Sequence, residues 1–222
     1  MSKPSEFYVG VLDFFAILLP GAIATAILIP RIDKEMVATL VAIPASEVGS
    51  WVAFLICSYF VGHLIFLVGS YVDRPYNAIR ERRNPYGNES SYQCATRIRD
   101  SMIDEAERKS LNTFQWARSV LIAKCPAAAE DVHRLEADSK FFRSLLVVCA
   151  LSSVVFASDG KPLAGAVSLV LVAPCFARYY ERRLKSTTQA YVHIIAMHRL
   201  GSLQAPGHQL PASASPAESR QE

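Results

Sequence analysis

An apolar stretch of twenty-two residues, 51–72, constrains this chain more than any other part of its sequence, because it contains no Asp, Glu, Lys or Arg. As a helix it would be about 33 Å long at about 1.5 Å per residue, enough to cross a hydrocarbon core of about 30 Å. Charges of both signs are frequent immediately afterwards, over residues 73–140. The chain is therefore predicted to alternate between membrane and water.

Three further apolar stretches predict three more membrane helices. The first span covers about residues 14–29, a third lies within 141–158 and a fourth within 163–177. The last two are short, so a re-entrant hairpin that enters and leaves by the same face is an alternative. The composition agrees with a membrane protein that has one water-facing part, since 51% of the residues are hydrophobic, 19% are charged and the mean hydropathy is +0.21.

The polar block between the second and third spans predicts a cytoplasmic hairpin of two antiparallel helices. Its arginine- and proline-rich start, up to about residue 90, is expected to be an irregular exit from the membrane. The spacing of Ile98, Ala106 and Leu121 then predicts one helical arm that ends before Pro126, where a second arm begins and continues into the third span. The result is an all-α integral membrane protein with these units: a membrane pair over 1–72, the hairpin over 73–140, a second membrane pair over 141–177, a cytoplasmic helix over 178–200 and a disordered tail over 201–222.

The distribution of basic residues predicts the orientation. If both termini and the hairpin are cytoplasmic, 20 of the 23 lysines and arginines lie on that side, and Arg31, Lys34 and Lys161 face outward. Cytoplasmic segments next to membrane spans normally carry such an excess of positive charge. Both termini are therefore expected in the cytoplasm.

Two stretches carry a resemblance to known proteins. The segments LDFFAILLPGA at 12–22 and LEADSKFFRSLL at 135–146 resemble parts of a family of uncharacterised bacterial multi-pass inner-membrane proteins. The order of two spans, a helical insert and two more spans is also similar to that of the membrane subunit of the Kiwa antiphage system. These resemblances imply a bacterial inner membrane and imply no activity.

Two ionisable residues stand within or at the edge of the spans. Asp13 begins the first span, and His63 lies inside the second. Because ionisable groups at membrane depth are costly, they usually have partners. Asp13 is expected to cap its helix or to pair with Arg74, Arg143 or Arg178, and the alternative is a proton or cation site. His63 is expected to donate a hydrogen bond between helices, with Ser58 and Tyr59 as candidate participants, and the alternative is a proton relay.

Other residues at the spans are expected to contact lipid or to shape the helices. Long basic side chains next to a span commonly reach the headgroups, and this is the expectation for Arg74, Arg143, Arg178 and the arginine run at 80–83. Residues inside the spans that are expected to kink a helix or to allow close helix packing are Pro20, Gly21 and Pro174.

Motifs for chemistry are absent from the sequence. It has no glycine-rich phosphate loop, no G-x-S-x-G, no H-E-x-x-H and no C-x-x-C among its five cysteines, so no catalytic, cofactor or metal residue is predicted. A net charge of +3 without a recognised binding motif argues against nucleic-acid binding. The expected function is that of a non-enzymatic sensor, anchor or scaffold that forms homo-oligomers and engages a cytoplasmic protein partner, in bacterial stress or antiphage defence. The alternatives are an oligomeric channel or pore-forming effector and, third, a membrane-embedded enzyme.

Overall fold

The computed structural model describes residues 4–32, 47–83 and 89–203, with side chains described over 14–32, 48–83 and 89–203. The described residues are overwhelmingly helical and contain no strand, which confirms the predicted all-α class. The helices are α1 (Pro4–Leu28), α2 (Glu47–Gly69), α3 (Asp73–Arg83), α4 (Ser90–Met102), α5 (Glu105–Ser110), α6 (Thr113–Lys124), α7 (Pro126–Ser158) and α8 (Pro162–Arg199), with short 3₁₀ turns at Ile29–Arg31 and Ser70–Val72.

Among the described residues, four helical segments are long and apolar enough to cross a membrane, in agreement with the four predicted spans: Phe14–Arg31, Val48–Arg83, Pro126–Ser158 and Pro162–Arg199. Since α7 has 33 residues and α8 has 38, they are about 50 and 57 Å long at about 1.5 Å per residue, well beyond a hydrocarbon core of about 30 Å. Each therefore has an apolar half and a half that extends past the apolar region. We call α1, α2 and the two apolar halves the apolar bundle, and α3–α6 with the two remaining halves the polar unit.

Helix α7 lies at the centre of the apolar bundle. It packs on α1, on α2 and most extensively on α8, while α1 and α2 also pack on each other. The chain reverses between α7 and α8 at Gly160, whose φ of +71° is a conformation that glycine adopts without steric cost. An ion pair between Arg31 and Asp159 joins the end of α1 to this turn, so the two lie at the same end of the bundle.

Glycines bring α1 and α2 into backbone contact. A Cβ atom added to Gly21 would lie 2.7 Å from the backbone nitrogen of Gly62, and one added to Gly62 would collide with the carbonyl oxygen of Ile17. Only glycine fits at such a crossing, as is common between membrane helices. Helix α1 continues through Pro20, which is fully buried beside this contact.

The polar unit has its own hydrophobic core, to which α4, α6, α7 and α8 contribute. Its fully buried members are Ala95, Ile98, Trp116, Ala117, Leu121, Ala128, Ala129, Val132, Ala190, Tyr191, Ile194 and Leu203. Leu203 falls within the predicted disordered tail, yet it packs on this core, and the tail from residue 204 onward lies outside the described residues. The core of the polar unit is thus an assembly of four helices, in which α4 and α6 pack on the extensions of α7 and α8.

Two features of the predicted hairpin need correction. The first arm is divided into α4, α5 and α6, because a capping box formed by Asn112 and Gln115 starts a new helix. With this division, Ala106 on α5 is exposed. The membrane exit is not irregular but forms α3. Pro75 is tolerated there because it lies in the first turn of that helix, where no intrahelical donor is needed.

Candidate functional site at the polar end of the bundle

The carboxylate of Asp73 joins three helices where the apolar bundle meets the polar unit. Its Oδ2 accepts a hydrogen bond from Nη1 of Arg143 on α7, at 3.1 Å, and its Oδ1 accepts one from the Tyr179 hydroxyl on α8. Asp73 is the first residue of α3 and directly follows the second span. We call Asp73, Arg143 and Tyr179 the polar junction.

Arg143 points into the protein. Only 9% of the residue is exposed, and its guanidinium carbon lies 4.7 Å from the centre of the Phe66 ring, a cation–π geometry. Gly69 gives it room, since a Cβ there would be 3.3 Å from Cγ of Arg143. The expected contact of Arg143 with lipid headgroups is therefore corrected: α7 is rotated so that this side chain faces α2 and neutralises Asp73.

Tyrosine rings surround the junction on its polar side. Tyr179 is 1% exposed, and its ring packs at 5.6 Å from that of Tyr76 on α3 and at 6.1 Å from that of Phe176. The Tyr76 ring also packs at 5.3 Å from that of Tyr180. The aromatic contacts and the hydrogen bond from Tyr179 hold α3 against α8.

A second charged group lies about two helical turns after Asp73 on α3. Arg80 is 1% exposed and donates to the Tyr76 hydroxyl, at 3.1 Å, and to Oε2 of Glu89, at 2.9 Å. The other oxygen of Glu89 accepts from Ser91 at 2.9 Å and from Thr188 on α8 at 3.0 Å. The expectation that the whole 80–83 run contacts lipid is thus wrong for Arg80, because its charge is compensated inside the protein.

A cleft of about 360 Å³ opens between α3, α6 and α8, next to this pair. Nearly all of its lining side chains are polar or aromatic, and the lining contains no carboxylate. The lining residues are Tyr76, Asn77, Arg80, Tyr92, Asn112, Thr113, Phe114, Arg183, Thr187 and Tyr191.

Several residues singled out in the sequence lie apart from the junction and the cleft. His63 is exposed on the outer surface of α2, with its ring 4.5 Å from that of Tyr59. The guanidinium of Arg74 lies over the Tyr71 ring, 5.5 Å from its centre. Arg178 pairs with Glu181 at 2.9 Å on the surface. Pro174 is exposed within α8, which continues through it. The side chain of Asp13 lies outside the described residues, so its partner stays a prediction. Two of the predicted partners pair with other carboxylates, Arg143 with Asp73 and Arg178 with Glu181.

The residues of the site that sequence reasoning missed are Asp73, Tyr179, Glu89 and Arg183. Asp73 had a visible signal, because it is an acid placed directly after a span and at the first position of a helix, where a negative charge is favourable. Tyr179 and Arg183 lie one turn apart on α8, and Glu89 lies about ninety positions earlier, so nothing in the local sequence connects these residues to Asp73 or to each other across that distance. Among the described residues, no group of three His, Cys, Asp or Glu side chains is placed to hold a metal ion.

No protein-family model matches this chain, and neither the curated proteins nor the solved structures include one that is significantly similar to it. The geometry of the junction and of the cleft is therefore the basis for a functional proposal.

Proposed function

We propose that this protein is a non-enzymatic sensor or anchor of a bacterial inner membrane, which self-associates and engages a cytoplasmic protein partner in a stress or antiphage defence response. One observation carries the proposal: α7 and α8 each belong to the apolar bundle and, without a break, to the core of the polar unit. Packed rigid helices of this kind couple two sites, because a displacement at one end moves the other.

The polar junction supports such coupling. Asp73 fixes the end of the first membrane pair to both long helices at the boundary between the bundle and the polar unit. A rearrangement of α2 against α7 would have to break these hydrogen bonds or carry the polar unit with it. A stimulus in the membrane would thereby reach the surface that the partner binds.

Self-association is supported by the exposed face of α2. His63 lies on that face beside Phe60 and Leu64, which are also exposed. An imidazole facing lipid is unfavourable, and a second copy packed on this face would remove it from lipid. The same residue favours an oligomeric channel as the second candidate function, since an imidazole that lines a pore would be hydrated.

Disulfide cross-linking tests the self-association. In a variant without native cysteines that keeps His63, Leu64→Cys is compared with Leu163→Cys, a control on the exposed side of α8. Oxidation in native membranes is expected to link copies through position 64 and not through position 163. Equal linking at both positions, or none at 64, would contradict a specific contact through α2.

Photo-cross-linking tests the partner. A photoreactive residue replaces Ile122, which is 52% exposed on α6, and the same residue at Leu163 is the control. In the native host we expect an adduct with a different protein at position 122 only. An absence of such adducts under every stress applied would refute the sensor or anchor proposal, and ion flux through reconstituted liposomes would establish the channel in its place.

A further inference from the structure

We infer that the cleft between α3, α6 and α8 binds a ligand that carries a phosphate group. The inference goes beyond the proposed function and does not depend on it. It rests on the size of the cleft, on the charge and hydrogen-bonding capacity of its lining, and on the way in which its two arginines are held.

The size of the cleft suits a small organic ligand. Its volume of about 360 Å³ lies within the range of about 300–1,000 Å³ that is usual for small-molecule sites. Among the side chains that line it, Asn77 and Asn112 carry amide hydrogen-bond donors, and Tyr76, Tyr92 and Tyr191 add ring surface. Such a lining can surround an anionic group and still pack against an apolar or ring-shaped remainder.

Arg183 supplies the net positive charge of the cleft. Neighbouring basic residues on α8 pair with acids, Arg178 with Glu181 and Arg182 with Asp138, whereas Arg183 has no carboxylate within 4.0 Å among the described residues. It is half-buried, so water does not solvate it fully. A guanidinium in such a position is suited to bind the oxygens of a phosphate in a bidentate manner.

Arg80, which also lines the cleft, is held in place by its hydrogen bonds to Tyr76 and Glu89. Its pair with Glu89 neutralises its charge, but Glu89 does not line the cleft, and its own oxygens are occupied by Ser91 and Thr188. The guanidinium plane is therefore fixed before any ligand arrives. A fixed donor loses little conformational entropy on binding.

The first turn of α6 completes the lining. Asn112 caps this twelve-residue helix, and Thr113 follows at its first position. The partial positive charge of a helix N-terminus adds to that of Arg183. Arg99 stands behind Thr113 and donates to its hydroxyl at 3.1 Å, which orients that side chain.

The phosphate group has two chemical sources that the cleft accommodates. Tyr76 lies one turn after Asp73 and packs on Tyr179, so the cleft begins next to the polar junction and is within reach of a lipid headgroup. A water-soluble phosphate compound such as a mononucleotide would enter from the opposite side. Both sources share the phosphate oxygens that Arg183 would bind.

The test uses the purified full-length protein and two kinds of probe. One arm titrates inorganic phosphate and a fluorescent mononucleotide against protein in neutral detergent. The other arm places the protein in nanodiscs of phosphatidylcholine with or without phosphatidylglycerol and detects retained lipid by native mass spectrometry. Binding in either arm supports the inference and identifies the source, and binding in neither arm overturns it.

Two substitutions localise the binding, with a matched control. Arg183→Gln is expected to weaken binding about tenfold or more, because it removes the bidentate contact. Arg178→Gln removes the same charge from the same helix outside the cleft and should leave binding unchanged. Asn77→Asp, at an exposed position of the lining, adds a negative charge without a change of shape and should also weaken binding, even if Arg183→Gln fails to fold. Equal losses for Arg178→Gln and Asn77→Asp would show that only general surface charge attracts the probe, and would refute the site.

Discussion

Asp73 and Arg143 are seventy positions apart in the chain, yet the carboxylate Oδ2 of one lies 3.1 Å from Nη1 of the other where the apolar bundle ends. Arg143 is nearly buried, whereas the side chain of Asp73 is 36% exposed. The contribution of the pair to the free energy of folding is therefore expected to be intermediate. A surface ion pair contributes little, whereas the loss of one partner from a fully buried pair is strongly destabilising.

Removal of either partner should destabilise the protein. We expect Arg143→Ala to lower the free energy of unfolding by about 1–3 kcal/mol, since it leaves the carboxylate partly buried with one donor fewer. Unfolding by SDS in mixed micelles, followed by circular dichroism, measures this. The double variant with Asp73→Ala should lose less than the sum of the two single losses. Additive losses would mean that the two side chains do not interact in the membrane.

The hydroxyl of Tyr179 should contribute separately from its ring. Tyr179→Phe keeps the contacts with Tyr76 and Phe176 but leaves Oδ1 of Asp73 without this donor, so a loss of about 1 kcal/mol is expected. The adjacent Tyr180→Phe is the matched control, because the Tyr180 ring packs on Tyr76 and its hydroxyl makes no hydrogen bond within the described part of the chain. The same unfolding measurement should distinguish the two variants, and an equal response would count against the hydrogen bond.

The crossing of α1 and α2 should not tolerate a side chain at its glycines. We expect Gly62→Ala to destabilise the bundle by about 1–3 kcal/mol, because the added methyl group meets the backbone of Ile17 and the helices must separate. Ala26→Val, on the exposed face of α1, is the control and should behave like the wild type. Thermal denaturation in detergent compares them; tolerance of Gly62→Ala would show that the helices cross elsewhere.

The topology predicted from the basic residues can be tested with single cysteines. With both termini cytoplasmic, a cysteine at Asp159 should react with an impermeant maleimide from outside intact spheroplasts, and cysteines at Ser2, Asn88 and Ser213 should react only after lysis. Because Arg31 pairs with Asp159, a cysteine at the neighbouring Ile32 should also react with the maleimide from outside. Labelling of position 88 from outside would reverse the orientation.

Hydropathy identified the four spans because crossing a bilayer requires length and apolar content, both of which can be counted along a chain. It could not indicate how each helix is rotated about its axis. Arg143 illustrates the difference: its place at the start of the third span is obvious, but whether it faces lipid or Asp73 depends on the packing of α7 against α2. The burial of Arg80 was likewise not predictable from hydropathy. Its partner Glu89 also accepts a hydrogen bond from Thr188 on α8, and only the fold brings these residues together.

Local signals were present where the polar block was misinterpreted. Asn112 and Gln115 have the spacing of a capping box, which marks the start of α6 and so divides the predicted arm. Pro75 contributes to the predicted irregular exit, although a proline two residues after the first helical position is compatible with a helix. The cleft had no such signal, because its lining comes from four separate segments of the chain.

The two ion pairs at opposite ends of α7 also define a length. From Arg143 to Asp159 the helix rises about 24 Å at about 1.5 Å per residue, somewhat less than a typical hydrocarbon thickness of about 30 Å. A bilayer thicker than this spacing must thin locally around the protein or draw charged groups away from the interface, and either response costs free energy. In a protein inserted across a bilayer, hydrophobic mismatch would thus act directly on Asp73, Arg143, Arg31 and Asp159, and the acyl-chain length of the surrounding lipids would bear on the ion pairs at both ends of α7.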